Sequence, residues 1–303
     1  MIDEAGMIGT RQLNRIISEA QKQGAKIILV GDPEQLQPIN AGTPFKDIAD
    51  QVGAVRLTEI HRQQKNWQKQ ASLDLAEQRT ENALNAYEVN GNVKEYRDNL
   101  DAITSLVTDY MADLSFEKNA SRLALAYRRK DVFAINQAIR SARQVVGELP
   151  VETLLQTKHG KRAFAPSDRI LLTENNHPLG IRNGMIGTVK SVSEDALEIL
   201  FDANDGKSQR KVVINPKLYS SFDHGYATTI HKSQGATVDR SYVLGSVLMD
   251  RHLTYVAMTR HTQDATLYGD HTSLNKMRRP GISGTPKYRQ SHRHKPRHGP
   301  TMH

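Results

Sequence analysis

Met1-Ile2-Asp3-Glu4-Ala5-Gly6-Met7 opens the chain: an apolar pair, then two carboxylates, then small and apolar residues. Where a strand ends in such a pair, the first carboxylate can help hold Mg²⁺ on the β- and γ-phosphates of a nucleotide. The second can polarise the attacking water. Acidic pairs are also common on solvated surfaces, so this one takes its meaning from the residues downstream of it. Working outward, Thr10 to Gln23 carries Leu13, Ile16, Ile17 and Ala20 at helical spacing, with Gly24 as a stop. Lys26–Val30 then reads as a buried parallel strand leading straight into Gly31-Asp32-Pro33-Glu34-Gln35-Leu36-Gln37-Pro38. A loop at the carboxyl end of such a strand is where open α/β sheets bind ligands.

Three later runs complete a pattern. They are Leu57-Thr58-Glu59-Ile60-His61-Arg62-Gln63, Thr229-Ile230-His231-Lys232-Ser233-Gln234-Gly235 and Tyr255-Val256-Ala257-Met258-Thr259-Arg260. The ordered set resembles the C-terminal motor half of a superfamily 1B (RecD-like) DNA helicase, closest to the TraA-type conjugative relaxase/helicases, over residues 1 to about 270. That resemblance implies an α/β fold of P-loop NTPase (RecA-like) domains with ATP and Mg²⁺ between them, moving 5′→3′ on single-stranded DNA. It makes Asp3 the metal ligand and Glu4 the residue that polarises water. Gln35 touches the γ-phosphate with Asp32 in support. Arg62 contacts the nucleotide phosphates, as a planar cation with fixed donors suits an oxyanion. Arg260 reaches across the cleft as an arginine finger, an effect worth about 10³–10⁵ in rate. Gly235 lets the main chain approach nucleotide or phosphate closely, while Thr229, His231 and Lys232 meet the DNA backbone.

No Gly-x-x-x-x-Gly-Lys-Ser/Thr phosphate loop occurs in the 303 residues. In the family that loop lies upstream of the acidic pair. The expectation is therefore a motor cut just before Asp3, with a truncated first RecA-like domain and no relaxase domain, which alone does not hydrolyse ATP. Two alternatives stand beside it: a fragment of a RecD-like exonuclease V subunit, and a nucleic-acid-binding remnant without turnover. Met7-Ile8-Gly9 and the form of an insertion over 150–219 favour the TraA type.

The domains are read from texture. Residues 1–60 are the remnant of the first RecA-like domain and 61–115 a helical connector. Residues 116–149 and 220–270 form the second RecA-like domain. Trp67, on a helical stretch, is expected to pack in a core rather than stack a base. Arg122–Tyr127 starts a strand, and Arg128 and Arg129 precede a helix, facing either DNA phosphate or solvent. Residues 150–219 contain short alternating runs with turn signals such as Arg182-Asn183-Gly184 and Ala203-Asn204-Asp205-Gly206. They read as a small inserted β-barrel, resembling the SH3-like insertion of RecD-like helicases.

The net charge of +8 sits at one end. Residues 271–303 hold eight Lys/Arg and no Asp or Glu, which leaves 33 basic and 33 acidic residues in 1–270. The tail reads as a disordered basic arm. His292, His294 and His298 lie in no apolar strand that would order them as metal ligands. There are no cysteines, no basic-then-apolar leader and no run of roughly 18 apolar residues. The expected setting is the cytoplasm. The expected partners are single-stranded DNA, the missing N-terminal part and other conjugation proteins.

Overall fold

The computed structural model describes residues 1–36, 42–57, 59–149, 151–202 and 209–279. Its elements, in order, begin with α1 (Thr10–Lys22), α2 (Pro44–Val52), α3 (Asn66–Ala76) and α4 (Thr80–Val89). Then come β1 (Val93–Tyr96), α5 (Asn99–Phe116), β2 (Arg122–Ala126) and α6 (Arg129–Val145). The insertion holds β3 (Thr153–Thr157), β4 (Gly160–Phe164), β5 (Arg169–Leu172), β6 (Ile186–Val192), β7 (Leu197–Phe201), β8 (Lys211–Ile214) and β9 (Phe222–His224). The chain returns through β10 (Ala227–Thr229), β11 (Val238–Leu244), α7 (Arg251–Met258), β12 (His261–Asp270) and α8 (His271–Arg278).

Alternation along β2 sorts the larger unit into layers. All five residues of β2 are buried. Leu123 and Leu125 face α3, α4, α7 and α8, whereas Ala124 and Ala126 face α5 and α6. A strand covered on both faces has no polar side to show, which is why it reads as a continuous apolar run. The sheet is wholly parallel, in the order β1-β12-β11-β2-β10. The stretch 61–115, read as a helical connector, also supplies β1, the edge strand beside β12. Val93 and Tyr96, at its two ends, pack against the apolar cores with Lys94 and Glu95 between them, so the segment is too short and too mixed to announce itself. Trp67 packs edge-on against Tyr87 at 5.1 Å between ring centroids, as a core residue.

The N-terminal unit departs from expectation. In place of a buried strand over Lys26–Val30 there is one parallel bridge, Ile2 with Leu29. Ile2 donates to the Ile28 carbonyl and Val30 to the Ile2 carbonyl, both at 2.8 Å. Ile28 and Val30 are 49% and 41% exposed. A parallel strand is buried only when neighbours and helices cover it, and among the described residues a single neighbour pairs with it here. The two glycines around this bridge are sterically required. A Cβ on Gly31 would sit 2.9 Å from the Gly6 nitrogen, and one on Gly6 would sit 3.0 Å from the Asp32 carbonyl oxygen.

The insertion is antiparallel, in the order β8-β7-β6-β5-β9, with β3 and β4 as a separate hairpin. It has its own core, including Phe164, Ile170, Phe201 and Phe222. The expected barrel is an open sheet among the described residues, with β8 and β9 as its edges; the turn at 203–206 lies outside them. Asp168, fully buried, ties the insertion to the parallel sheet. It accepts from Arg140 of α6 at 3.2 Å, from Tyr226 before β10 at 2.5 Å, and from the Ala165 N–H at 2.7 Å.

The expected disordered tail from His271 is corrected over its first turns. Asp270 caps α8 by accepting from Ser273 N–H at 2.8 Å, and the helix buries Leu274 and Met277 against the sheet. Two apolar side chains three residues apart gave too short a signal against the surrounding charge. Residues 280–303, with His292, His294 and His298, lie outside the described residues. No helix among the described residues is long and apolar enough to cross a membrane.

Candidate nucleotide cleft and nucleic-acid loop

Asp3 and Glu4 leave the Ile2 bridge on the exposed side. The Asp3 carboxylate accepts from the Glu4 N–H at 2.8 Å. Glu4 has a φ of 52°, a left-handed conformation unusual for a residue with a Cβ, and it starts the 3-10 turn Ala5–Met7. Such strain costs of order 1 kcal/mol and concentrates at functional sites.

Asp32 lies at the end of the neighbouring segment and is held from three directions. Its carboxylate accepts from Glu34 N–H at 2.9 Å, from Gln35 Nε2 at 3.2 Å, and from the Tyr255 hydroxyl at 2.8 Å. The last of these crosses from the N-terminal unit to α7. The Gln35 amide carries the connection on, its Oε1 facing Gln234 Nε2 at 3.5 Å. His252 Nδ1 and the Glu34 carbonyl make a further link between the units at 2.7 Å. Gln37 and Pro38 of the same run, and Thr58 of the next, lie outside the described residues.

The Arg62 run clamps the end of α7. Arg62 Nη1 donates to the Thr259 carbonyl at 2.8 Å, and Gln63 Nε2 donates to the His261 carbonyl at 3.0 Å. Arg260 comes directly after and is 2% exposed. Among the described residues its guanidinium donates to the Val256 carbonyl at 2.9 Å and the Thr259 hydroxyl at 3.2 Å, and to no carboxylate. Burial, and then the charge of Arg62, bring its pKa down to about 10, against the pull of Tyr255, Glu4 and Asp32. Burial and the Asp32 carboxylate push the Tyr255 phenol up. Two guanidiniums that repel one another, Arg260 buried and Arg62 half-buried, suit a multiply charged anion between them.

The second constellation sits at the carboxyl end of β10. Thr229 caps the turn Ile230–Ser233, its hydroxyl accepting from Lys232 N–H at 3.4 Å. His231 is exposed, with its ring 6.0 Å from that of Tyr127. The Lys232 ammonium is pushed down by partial desolvation and by Arg129. Gly235 has a φ of 78°, the left-handed region that glycine enters freely.

Of the residues singled out in the sequence, Glu4, Asp32, Gln35, Arg62 and Arg260 share one electrostatic neighbourhood. Thr229, His231, Lys232 and Gly235 form a separate loop joined to it through Gln234 and Gln35. Asp3 stands beside Glu4. Tyr255, Gln234 and His252 were not singled out. The first two lie inside the quoted runs, but nothing in a linear reading says which run member crosses to the other unit.

Residues 1–98 match the AAA domain family. Over 268 residues the chain is 45% identical to a conjugal transfer protein TraA of Rhizobium radiobacter, covering 88% of this chain and 24% of that protein. Its homologues are TraA conjugal transfer proteins and RecD-like helicases. The ATP-dependent RecD2 DNA helicase of Deinococcus radiodurans is 26% identical over 279 residues, covering 86% of this chain and 34% of the helicase. A Pif1 helicase from Bacteroides, solved with ADP-AlF3 and single-stranded DNA, superposes with a TM-score of 0.55 at 17% identity. It covers 88% of this chain and 69% of the other, and shows the fold alone. The chain spans about a quarter of the length of the TraA relatives it matches.

Proposed function

We propose that this chain is part of an ATP-dependent 5′→3′ single-stranded DNA translocase of a conjugative DNA-transfer protein. The observation that carries the reading is the meeting of Asp32, Arg62 and Arg260 with the Tyr255 bridge between the units, while Gln35 and Gln234 connect that cleft to the Thr229–Gly235 loop. The residues present fit a nucleotide. Arg260 is buried without a carboxylate partner among the described residues, and Arg62 is near enough to depress it. Bound ATP with Mg²⁺ would supply the phosphoanhydride bond and the metal charge. Asp3 would hold the metal, Arg62 and Arg260 the phosphates, and Glu4 a water. Gln35 would sense the phosphate end and pass its presence to Gln234, and through it to Thr229, His231 and Lys232 on the DNA backbone. The cytoplasm is the setting in which such a protein would meet ATP and DNA.

This chain by itself is expected to show no ATP hydrolysis above background, with or without single-stranded DNA. It lacks the phosphate-loop Lys and Ser/Thr, and two exposed carboxylates repel a triphosphate unless a metal is already held. A phosphate-release assay checks this. DNA-stimulated turnover that disappears in Arg260→Ala would overturn it. A second reading is a nucleic-acid-binding segment without turnover, which the Thr229–Gly235 loop would serve equally well. An in-frame phosphate loop upstream of Met1 in the coding DNA decides for the motor.

A further inference from the structure

The start of α6 and strand β4 of the insertion meet beside the Thr229–Gly235 loop. Arg129 and Phe133 stand four residues apart in the first turns of α6 and share one face of it. Phe133 is 51% exposed, and the Arg162 guanidinium of β4 lies 5.4 Å from its ring centroid. Arg162 Nε is 3.4 Å from the carboxylate of Asp223 in β9. Asp223 in turn acts on the Lys232 ammonium, opposing the desolvation and the Arg129 charge that push it down. Arg129, Phe133, Arg162, Asp223 and Lys232 therefore form one cluster, drawn from α6, the insertion and the loop.

Its charge is unmatched. Asp131, the acid in the first turn of α6, is taken by Arg128 at 2.6 Å. Arg129 and Lys232 are both exposed, and neither side chain has a carboxylate partner among the described residues. Three cations thus share the single carboxylate of Asp223. An aromatic ring gains by leaving water, yet half of Phe133 stays in it, on a face too highly charged to be an ordinary apolar contact. Single-stranded nucleic acid matches both features at once. Its bases stack on aromatic rings and guanidinium planes, and its phosphates pair with cations on either side. We infer that Phe133 and Arg162 are a stacking platform for one base of a single-stranded nucleic acid, with Arg129 and Lys232 on the flanking phosphates. The inference rests on the reading of the Thr229–Gly235 loop as the nucleic-acid loop. To that loop it adds the residues that touch a base, one of them supplied by the insertion.

The test is the affinity of the full chain for oligothymidylate and for an abasic strand of the same length, which keeps the phosphates and lacks the bases, over a series of salt concentrations. Phe133→Leu keeps an apolar side chain and loses the ring, while Phe133→Tyr keeps the ring. Phe133→Leu should weaken oligothymidylate binding about fivefold or more, with the salt slope unchanged and the abasic strand unaffected. Phe133→Tyr should bind both strands as the parent chain does. Lys232→Gln and Arg129→Gln should weaken both strands alike, each lowering the magnitude of the salt slope by about 0.7. Stacking persists where salt screens phosphate contacts, so the Phe133→Leu difference is read at high salt, whatever the basic tail contributes. If Phe133→Leu weakens both strands equally, or neither, while Lys232→Gln still acts, the platform is overturned and the nucleic-acid loop stands. If none of the substitutions changes either strand, the reading of the loop falls together with the platform.

Discussion

Arg260 and His261 are adjacent, and burial pushes both towards the neutral form. Only for the histidine does this reach physiological pH. His261 is fully buried, its Nδ1 has no partner among the described residues, and its Nε2 lies 3.4 Å from the Tyr87 hydroxyl. Burial brings its pKa to about 4, with Asp264 pulling the other way. The folded value is below the unfolded one of about 6.5, so between pH 6.5 and 4 the unfolded chain binds more protons. Stability is therefore full above pH 6.5 and falls as the solution is acidified, by on the order of 2 kcal/mol at pH 5. His224, also depressed by burial, acts in the same direction. Urea midpoints at pH 7 and pH 5 measure the loss. His261→Gln should remove most of the His261 share, and an unchanged pH dependence in that variant would show that the ring is not titrating.

The weakest and strongest joints lie at the level of elements. The N-terminal unit depends on the Ile2–Leu29 bridge, the glycine contact and the Tyr255–Asp32 hydrogen bond, with Ile28 and Val30 uncovered. Amide exchange should be fast over 1–60 and slow over 120–270, where strands are paired and covered on both faces. Uniform protection would mean that another surface covers the first unit. The insertion is joined much more firmly. Asp168→Ala would leave the Arg140 guanidinium and the Tyr226 hydroxyl facing a buried gap, although Glu152 still takes one Arg140 nitrogen at 2.5 Å. Removing one partner of a buried charged pair costs about 3–5 kcal/mol, to be read as a fall in the unfolding midpoint. A loss under about 1 kcal/mol would show that water replaces the carboxylate.

For the whole molecule, charge separates body from tail. Since α8 packs into the core, the natural cut falls after Arg279 rather than after Asp270. Residues 280–303 still carry five Lys/Arg and no acid. They should provide most of the residual affinity for single-stranded DNA, with little sequence preference. Each contacted phosphate adds about 0.7 to the magnitude of the logarithmic salt slope. A salt titration of oligonucleotide binding compares the full chain with residues 1–279. Equal affinity and slope in both would place the DNA site in the body, at the Thr229–Gly235 loop.

The order of motifs was legible in the sequence because each depends on local chemistry. A Gly-Asp-Pro turn after an apolar run and the short runs ending in Gly235 and Arg260 are set by neighbours within a few residues. The strand begun at Arg122–Tyr127 was legible for the same reason, as a short run of its own residues. Lys26–Val30 had an equally convincing pattern yet ends half-exposed, since burial of a strand depends on partners that its own residues do not encode. The edge strand β1, the packing of α8 and the Tyr255–Asp32 bridge all join residues far apart in the chain. Such contacts arise only when the helices pack against the sheet, so tertiary structure alone decided them.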